Sequence, residues 1–274
     1  MPYRNAPYYV LFVLAVIVVG FWPSYFTQWT NVPWQFHAHG IAATLWVTMV
    51  LVQSWTVHHG QLPLHRAIGR TSLLLFPFLM AGFAGIIDVT AKGFVANDNP
   101  VRVMFGGSFL IGMALAMAAY VTFFYRALKY RRKVWVHSGY MLATPLFLFE
   151  SPFSRILNMV LPGFTVRGPE DFGRIMTSIE FSMGLELFFI LLVCWKFRNG
   201  AQPFMVAAGF IVAQMITMLL LNDWAALKPI LFLIAQTPSS LVWLTGFAIG
   251  VLTAWAGWTE GTRRARPAAP VLTG

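Results

Sequence analysis

Five ionisable side chains lie inside otherwise apolar stretches of the sequence, where a charge is costly. They are Asp88, Glu150, Arg155, Glu180 and Glu186. An ionisable residue at the centre of a membrane helix costs about 2.5 to 3.5 kcal/mol on insertion scales, so residues of this kind mark reaction sites, ion pathways or proton relays. We therefore take these five residues as candidate catalytic groups.

Two histidines add metal-ligating chemistry at the same level. His37 and His39 open the second apolar stretch, and a rise of about 1.5 Å per residue brings His39, Glu150 and Glu180 to similar depths in the outer third of a bilayer. Imidazoles and carboxylates together ligate iron, zinc or copper. The sequence predicts a metal site formed by His37, His39, Glu150 and Glu180. The alternative is a structural ion pair between Arg155 and one of the acids.

Haem b is the other cofactor that these residue types suggest. His39 is followed by Gly40, and a glycine beside an imidazole lets a flat porphyrin come close. His65 and His137 are further candidate cofactor ligands, because each lies just before an apolar stretch on the side of the membrane opposite His39. One haem cannot use both His39 and His65, because a whole span separates them. The alternative for the inner histidines and their neighbouring arginines is a rim that binds lipid phosphate.

The elements that must position these residues are membrane helices. The chain has 274 residues, of which 58% are hydrophobic and 10% charged, whereas about a quarter of an ordinary chain is charged. A membrane helix needs roughly 20 apolar residues. Eight such stretches lie at 8–26, 34–56, 70–90, 103–125, 136–161, 175–195, 204–222 and 238–258. This predicts an all-α, polytopic transmembrane bundle with one domain over 1–274, or seven spans if the apolar segment 228–235 changes the count.

The basic residues predict the orientation, because Lys and Arg gather on the cytoplasmic side. With both termini inside, the cytoplasmic segments hold 13 of the 19 basic residues and the external loops hold five. The inner residues are Arg4, Arg66, Arg70, Arg126, Lys129, Arg131, Arg132, Lys133, Lys196, Arg198, Arg263, Arg264 and Arg266. We expect a bacterial inner-membrane protein with a short basic cytoplasmic tail at 259–274. Contact with anionic lipids accounts for the net charge of +10, and no nucleic acid partner is expected.

Three classes of function fit this pattern. The first is redox or hydrolytic chemistry on a membrane-soluble substrate at the outer metal or haem site. The second is a proton-coupled transporter or channel that uses the buried carboxylates. The third is a non-catalytic assembly or scaffold factor. Gly246 and Gly250 form a small-xxx-small face in the last span, which is typical of close helix packing and suggests a homodimer.

Residues 37–70, HAHGIAATLWVTMVLVQSWTVHHGQLPLHRAIGR, contain several short motifs. The pair His39 and Gly40 opens a span, Trp46 and Gln53 follow along it, and an HR-x-x-GR sequence enters the next span. With His137, Tyr140 and Met141 further on, the chain resembles a family of bacterial polytopic membrane proteins known as a domain of unknown function. The resemblance covers about spans 2 to 5 and implies a fold without an activity. A similarity in style to cytochrome b561-type proteins, and to a haem and copper membrane family, implies histidine-bound metal or haem.

Overall fold

The computed structural model describes residues 2–263, which form helices and turns without strands. Within this range the helices are α1 (Ala6–Phe21), α2 (Trp34–His58), α3 (Leu62–Ala96), α4 (Pro100–Lys129), α5 (Val134–Ala143), α6 (Glu150–Val160), α7 (Gly173–Lys196), α8 (Gln202–Leu220), α9 (Leu227–Gln236) and α10 (Ser239–Arg263). The expectation of an all-α protein is confirmed.

Six of these helices are long and apolar enough to cross a membrane, namely α2, α3, α4, α7, α8 and α10. The helices α1 and α9 are apolar but shorter. Large apolar side chains such as Leu74, Leu220 and Trp255 point outward and are about two-thirds exposed or more. A water-soluble bundle buries such groups, whereas a multi-pass membrane protein turns them toward lipid.

Contacts between helix termini define two ends of the bundle. At one end the Tyr3 hydroxyl donates to the Gly200 carbonyl, and Arg131 donates to the Trp258 carbonyl. These contacts join the start of α1, the α7–α8 turn and the termini of α4 and α10. At the other end Lys92 donates to Ser239. We call the end that holds Tyr3 and Arg131 the basic end, and residue 2 and Arg263 both lie there.

The structure revises three boundaries that the sequence suggested. The first helix ends at Phe21, five residues earlier than expected. The apolar segment 228–235 belongs to a separate helix, α9, which packs Leu227 and Leu231 against α3 and α4 instead of extending the last span. Residues 259–263 of the proposed tail continue α10 through Arg263. The rest of that tail lies outside the described residues.

The fifth apolar stretch is not one helix but two, α5 and α6, separated at residues 144–149. Pro145 and Pro152 explain the interruption, because proline has no N–H to donate to the carbonyl four residues earlier. The carbonyls of Met141 and Leu148 therefore lose their helical donors. In lipid each freed backbone group needs another partner, since no water is present.

Hydroxyl groups bond two carbonyls at the interruption, those of Met141 and Thr144. The Thr144 hydroxyl donates to the Met141 carbonyl at 2.8 Å and accepts from the Trp46 indole N–H at 2.8 Å. The Tyr120 hydroxyl donates to the Thr144 carbonyl at 2.6 Å. Trp46, Tyr120 and Thr144 are all completely buried. The interruption is therefore fastened to α2 and α4 by a buried hydrogen-bonded network.

Glycines let α3 approach its two main neighbours closely. A Cβ added at Gly82 would lie 2.8 Å from the His39 Cα of α2, and one added at Gly250 would lie 2.4 Å from the Pro77 Cα. A Cβ at Gly246 would meet the Met80 carbonyl oxygen at 2.6 Å. The α10 face that suggested a homodimer is therefore covered by α3 of the same chain.

Removing the Tyr120 hydroxyl should destabilise the bundle while leaving its packing almost intact. Tyr120→Phe strands the Thr144 carbonyl, and an unsatisfied buried acceptor costs about 1 to 3 kcal/mol. We expect a lower midpoint of thermal unfolding in detergent. Tyr8→Phe is the control, because Tyr8 is 66% exposed and its midpoint should not move. Equal midpoints for the wild type and both variants would contradict the role given to Tyr120.

Candidate functional site

The outer histidines contact different partners from those that the sequence suggested. The Tyr25 hydroxyl lies 2.9 Å from His37 Nδ1, and the Trp29 ring packs 4.4 Å from the His37 ring. His39 packs its ring 4.8 Å from that of Phe83 on α3, and its Nδ1 is buried without a hydrogen bond. The flat group beside Gly40 is the Tyr25 ring, which an added Cβ would meet at 3.5 Å.

Three of the acids, Glu150, Glu180 and Glu186, lie on α6 and α7, which pack against each other. Glu150 interacts electrostatically with Arg155 and Glu180, and Glu186 interacts with Glu150. Arg155 donates to the Ser151 carbonyl and hydroxyl at 2.7 Å and lies over the Phe21 ring, without an ion pair to any acid within 2–263. Both Glu180 carboxylate oxygens are buried without a hydrogen bond.

This arrangement, which we call the α6–α7 polar cluster, brings together three of the predicted catalytic carboxyl groups and Arg155, but no histidine. Carboxyl groups inside membrane segments can serve in proton relays. Across residues 2–263, no group of three or more His, Cys, Asp or Glu is placed to hold a metal ion. The four-residue metal site expected from His37, His39, Glu150 and Glu180 is therefore not assembled.

Asp88, the fifth candidate, has a structural environment. It is 1% exposed and pairs with Lys92 at 2.7 Å. Gln35 Nε2 donates to its other carboxylate oxygen at 3.4 Å, and Lys92 also donates to Ser239 at the start of α10. Asp88 thus links α2, α3 and α10 and has no open side toward a substrate.

A large cavity opens at the basic end, among α2, α3, α4, α5 and the end of α10. Its volume is about 750 Å³, within the range of roughly 300 to 1,000 Å³ that is usual for cofactor and ligand pockets. The apolar part of its wall is formed by Met49, Val50, Val57, Leu62, Phe124, Leu128, Val134, Met141, Leu142 and Trp258. We call it the basic cavity.

Its polar rim carries only positive charge. Arg66, Arg70, Arg131 and Arg132 line the basic cavity, and among residues 2–263 no Asp or Glu does. Arg131 is held in place by bonds to the carbonyls of Leu128 and Trp258, and burial followed by the charge of Arg132 lowers the pKa of the Arg131 guanidinium. The other three arginines are exposed and make no hydrogen bond or ion pair inside the described range.

Two of the predicted cofactor ligands, His65 and His137, line the same cavity from different walls. His65 stands at the start of α3, where its Nδ1 lies 3.2 Å from the Gln53 carbonyl of α2. His137 stands on α5, where its Nδ1 lies 2.9 Å from the Ala127 carbonyl of α4. A carbonyl only accepts, so each Nδ1 carries the proton and each Nε2 is a free lone-pair donor.

Gln53 adds an unsatisfied donor to the cavity wall. Its side chain is 9% exposed, and its Nε2 has no hydrogen-bond partner. A buried unpaired amide is costly unless a ligand or water completes it. From the sequence, Gln53 was noted only within the family resemblance. Gln53, Ser54 and Trp258 were not identified there as residues of a cavity. The HR-x-x-GR motif was the available signal, because it places His65, Arg66, Gly69 and Arg70 on one cavity wall.

No protein-family model, curated protein or solved structure matches this chain. The likeness to a domain of unknown function therefore stays a resemblance between short motifs.

The electrostatic potential of the basic cavity can be measured with charged thiol reagents. In a Cys194→Ser background, a cysteine at Ser138 on the cavity wall should react faster with an anionic methanethiosulfonate than with a cationic one. Arg66→Gln with Arg70→Gln should lower that rate ratio by about tenfold or more, since two nearby charges are removed. Lys196→Gln with Arg198→Gln is the control, because these residues lie at the same end outside the cavity. An equal decrease of the rate ratio in both double variants would show only a diffuse surface charge.

Proposed function

We propose that this protein binds an anionic, amphiphilic small molecule in the basic cavity, at the cytoplasmic end of a bundle in the bacterial inner membrane. The observation that carries the proposal is the cavity lining: an apolar wall below a rim with several arginines and no acidic residue. The proposed bundle has eight crossings, formed by α1, α2, α3, α4, α5 with α6, α7, α8 and α10.

The chemistry of the rim favours a carboxylate or phosphate. A guanidinium presents a planar fork of donors that binds both oxygens of such a group, and it is less strongly hydrated than an ammonium. Arg66, Arg70 and Arg132 are exposed at the rim and have no partner within 2–263. A small anion satisfies these groups but leaves the apolar wall wet, whereas an amphiphile satisfies both.

The cytoplasmic placement rests on the distribution of charge. The basic end gathers the termini and loops that carry most of the basic residues, and such segments stay on the cytoplasmic side. The cysteine at Ser138 should then react with an impermeant reagent added to inverted vesicles and not with one added to intact spheroplasts.

A fluorescent amphiphile tests binding directly. In phosphatidylcholine nanodiscs the full-length protein should bind dansyl-undecanoic acid and not its methyl ester, which has the same apolar body without a charge. Arg66→Gln with Arg70→Gln should weaken binding by about 30-fold, at about 1 kcal/mol for each basic residue. Lys196→Gln with Arg198→Gln should leave it unchanged.

Two results would count against the proposal. Equal affinity for the acid and its ester would remove the role of the charged rim. An equal loss in the two double variants would assign the binding to the whole basic end and not to the cavity.

A further inference from the structure

We infer that the basic cavity is a site for an iron porphyrin of the haem b type, held by His65 and His137 as axial ligands. This inference rests on the proposed function and narrows its ligand class. Haem is itself an anionic amphiphile, with an apolar ring and two carboxylate side chains.

Hydrogen bonding and position together separate these two histidines from the other four, since His59 also has its Nδ1 on a carbonyl, that of Trp55, but lies outside the cavity. His58 uses both ring nitrogens, on the carbonyls of Ser54 and Pro2. His59 stacks on Trp55 and is exposed, and it does not line the cavity. His37 contacts Tyr25, and His39 has no partner that fixes its tautomer.

Among the six histidines, only His65 and His137 line the cavity with Nδ1 bonded to a backbone carbonyl and no hydrogen bond at Nε2. A metal-ligating histidine normally donates its second ring nitrogen to a carbonyl or carboxylate, which fixes the tautomer and ring orientation and raises the basicity of the ligating nitrogen. The two anchoring carbonyls belong to α2 and α4. The imidazoles are therefore fixed by different helices before any ligand enters.

The number of ligands distinguishes haem from a bare metal ion. A protein site for zinc or non-haem iron needs three or four side chains, and the described residues offer no such group. A porphyrin already supplies four nitrogens in the plane of the iron, so two axial imidazoles complete six coordination. His65 and His137 line one cavity from different walls, so a ligand that fills the cavity contacts both.

The remaining lining matches the rest of the molecule. Phe124, Leu128 and Met141 provide apolar surface for the ring. The unpartnered guanidinium groups at the rim and the unpaired Gln53 amide provide donors for the two carboxylates. An acid-free rim avoids repulsion of those carboxylates. A straight-chain lipid uses the same arginines but gives the two imidazoles no role.

The test uses full-length protein in phosphatidylcholine nanodiscs, titrated with ferric haem and, separately, with metal-free protoporphyrin IX. Haem should give the sharp Soret band and low-spin spectrum of iron with two imidazole ligands. His65→Ala and His137→Ala should each produce a high-spin spectrum or weaken haem binding by more than tenfold. His58→Ala and His39→Ala, which alter histidines outside the proposed ligand pair, should keep the low-spin spectrum.

Metal-free protoporphyrin IX separates loss of coordination from loss of folding. It carries the same ring and carboxylates without iron, so both ligand variants should still bind it about as tightly as the wild type. A low-spin spectrum that survives in both His65→Ala and His137→Ala would overturn the inference.

The failure of this inference can be distinguished from that of the proposed function. If the wild type binds metal-free protoporphyrin IX and dansyl-undecanoic acid but gives no low-spin haem spectrum, the amphiphile site is supported. Axial ligation by the two histidines is then contradicted. A wild type that binds none of the three would contradict both.

Discussion

The rest of the structure depends on one constraint, the need to satisfy every backbone polar group inside the bilayer. Pro145 and Pro152 interrupt the fifth apolar stretch. The carbonyls of Met141 and Thr144 at this interruption are bonded by the Thr144 and Tyr120 hydroxyls, while the Trp46 indole holds Thr144 in place. This network fixes α5 against α2 and α4 as a helix of only ten residues. It thereby sets where the cavity-facing side of α5, with His137 and Met141, lies relative to the arginines.

The two polar regions of the molecule differ in what they leave unsatisfied. In the α6–α7 polar cluster the unsatisfied groups are acids. Arg155 donates a hydrogen bond to Ser151 and lies over the Phe21 ring. In the basic cavity they are donors and lone pairs, from Arg66, Arg70, Gln53 and two imidazoles, beside an apolar wall. Only the second combination is complementary to an anionic amphiphile, and for this reason the function is assigned to the basic end.

The sequence predicts a common depth for several polar residues but contains no signal for their lateral position in the bundle. Rise per residue places His39, Glu150 and Glu180 at one level, yet His39 faces Phe83 of α3 while the acids lie between α6 and α7. Which helices become neighbours depends on close contacts such as that of Gly82 with α2, which single-helix patterns do not reveal. His65 and His137 could be placed at one end because each begins a helix. The carbonyls that orient their rings could be found only in the folded chain.

The central claim, that the basic cavity holds an anionic amphiphile, is tested most directly by native mass spectrometry of the full-length protein released from mild detergent. The account predicts one bound anionic molecule on the wild type and on the Lys196→Gln, Arg198→Gln variant, and its loss from the Arg66→Gln, Arg70→Gln variant. A wild type that stays bare after incubation with a membrane extract, or a molecule retained equally by both variants, would contradict it.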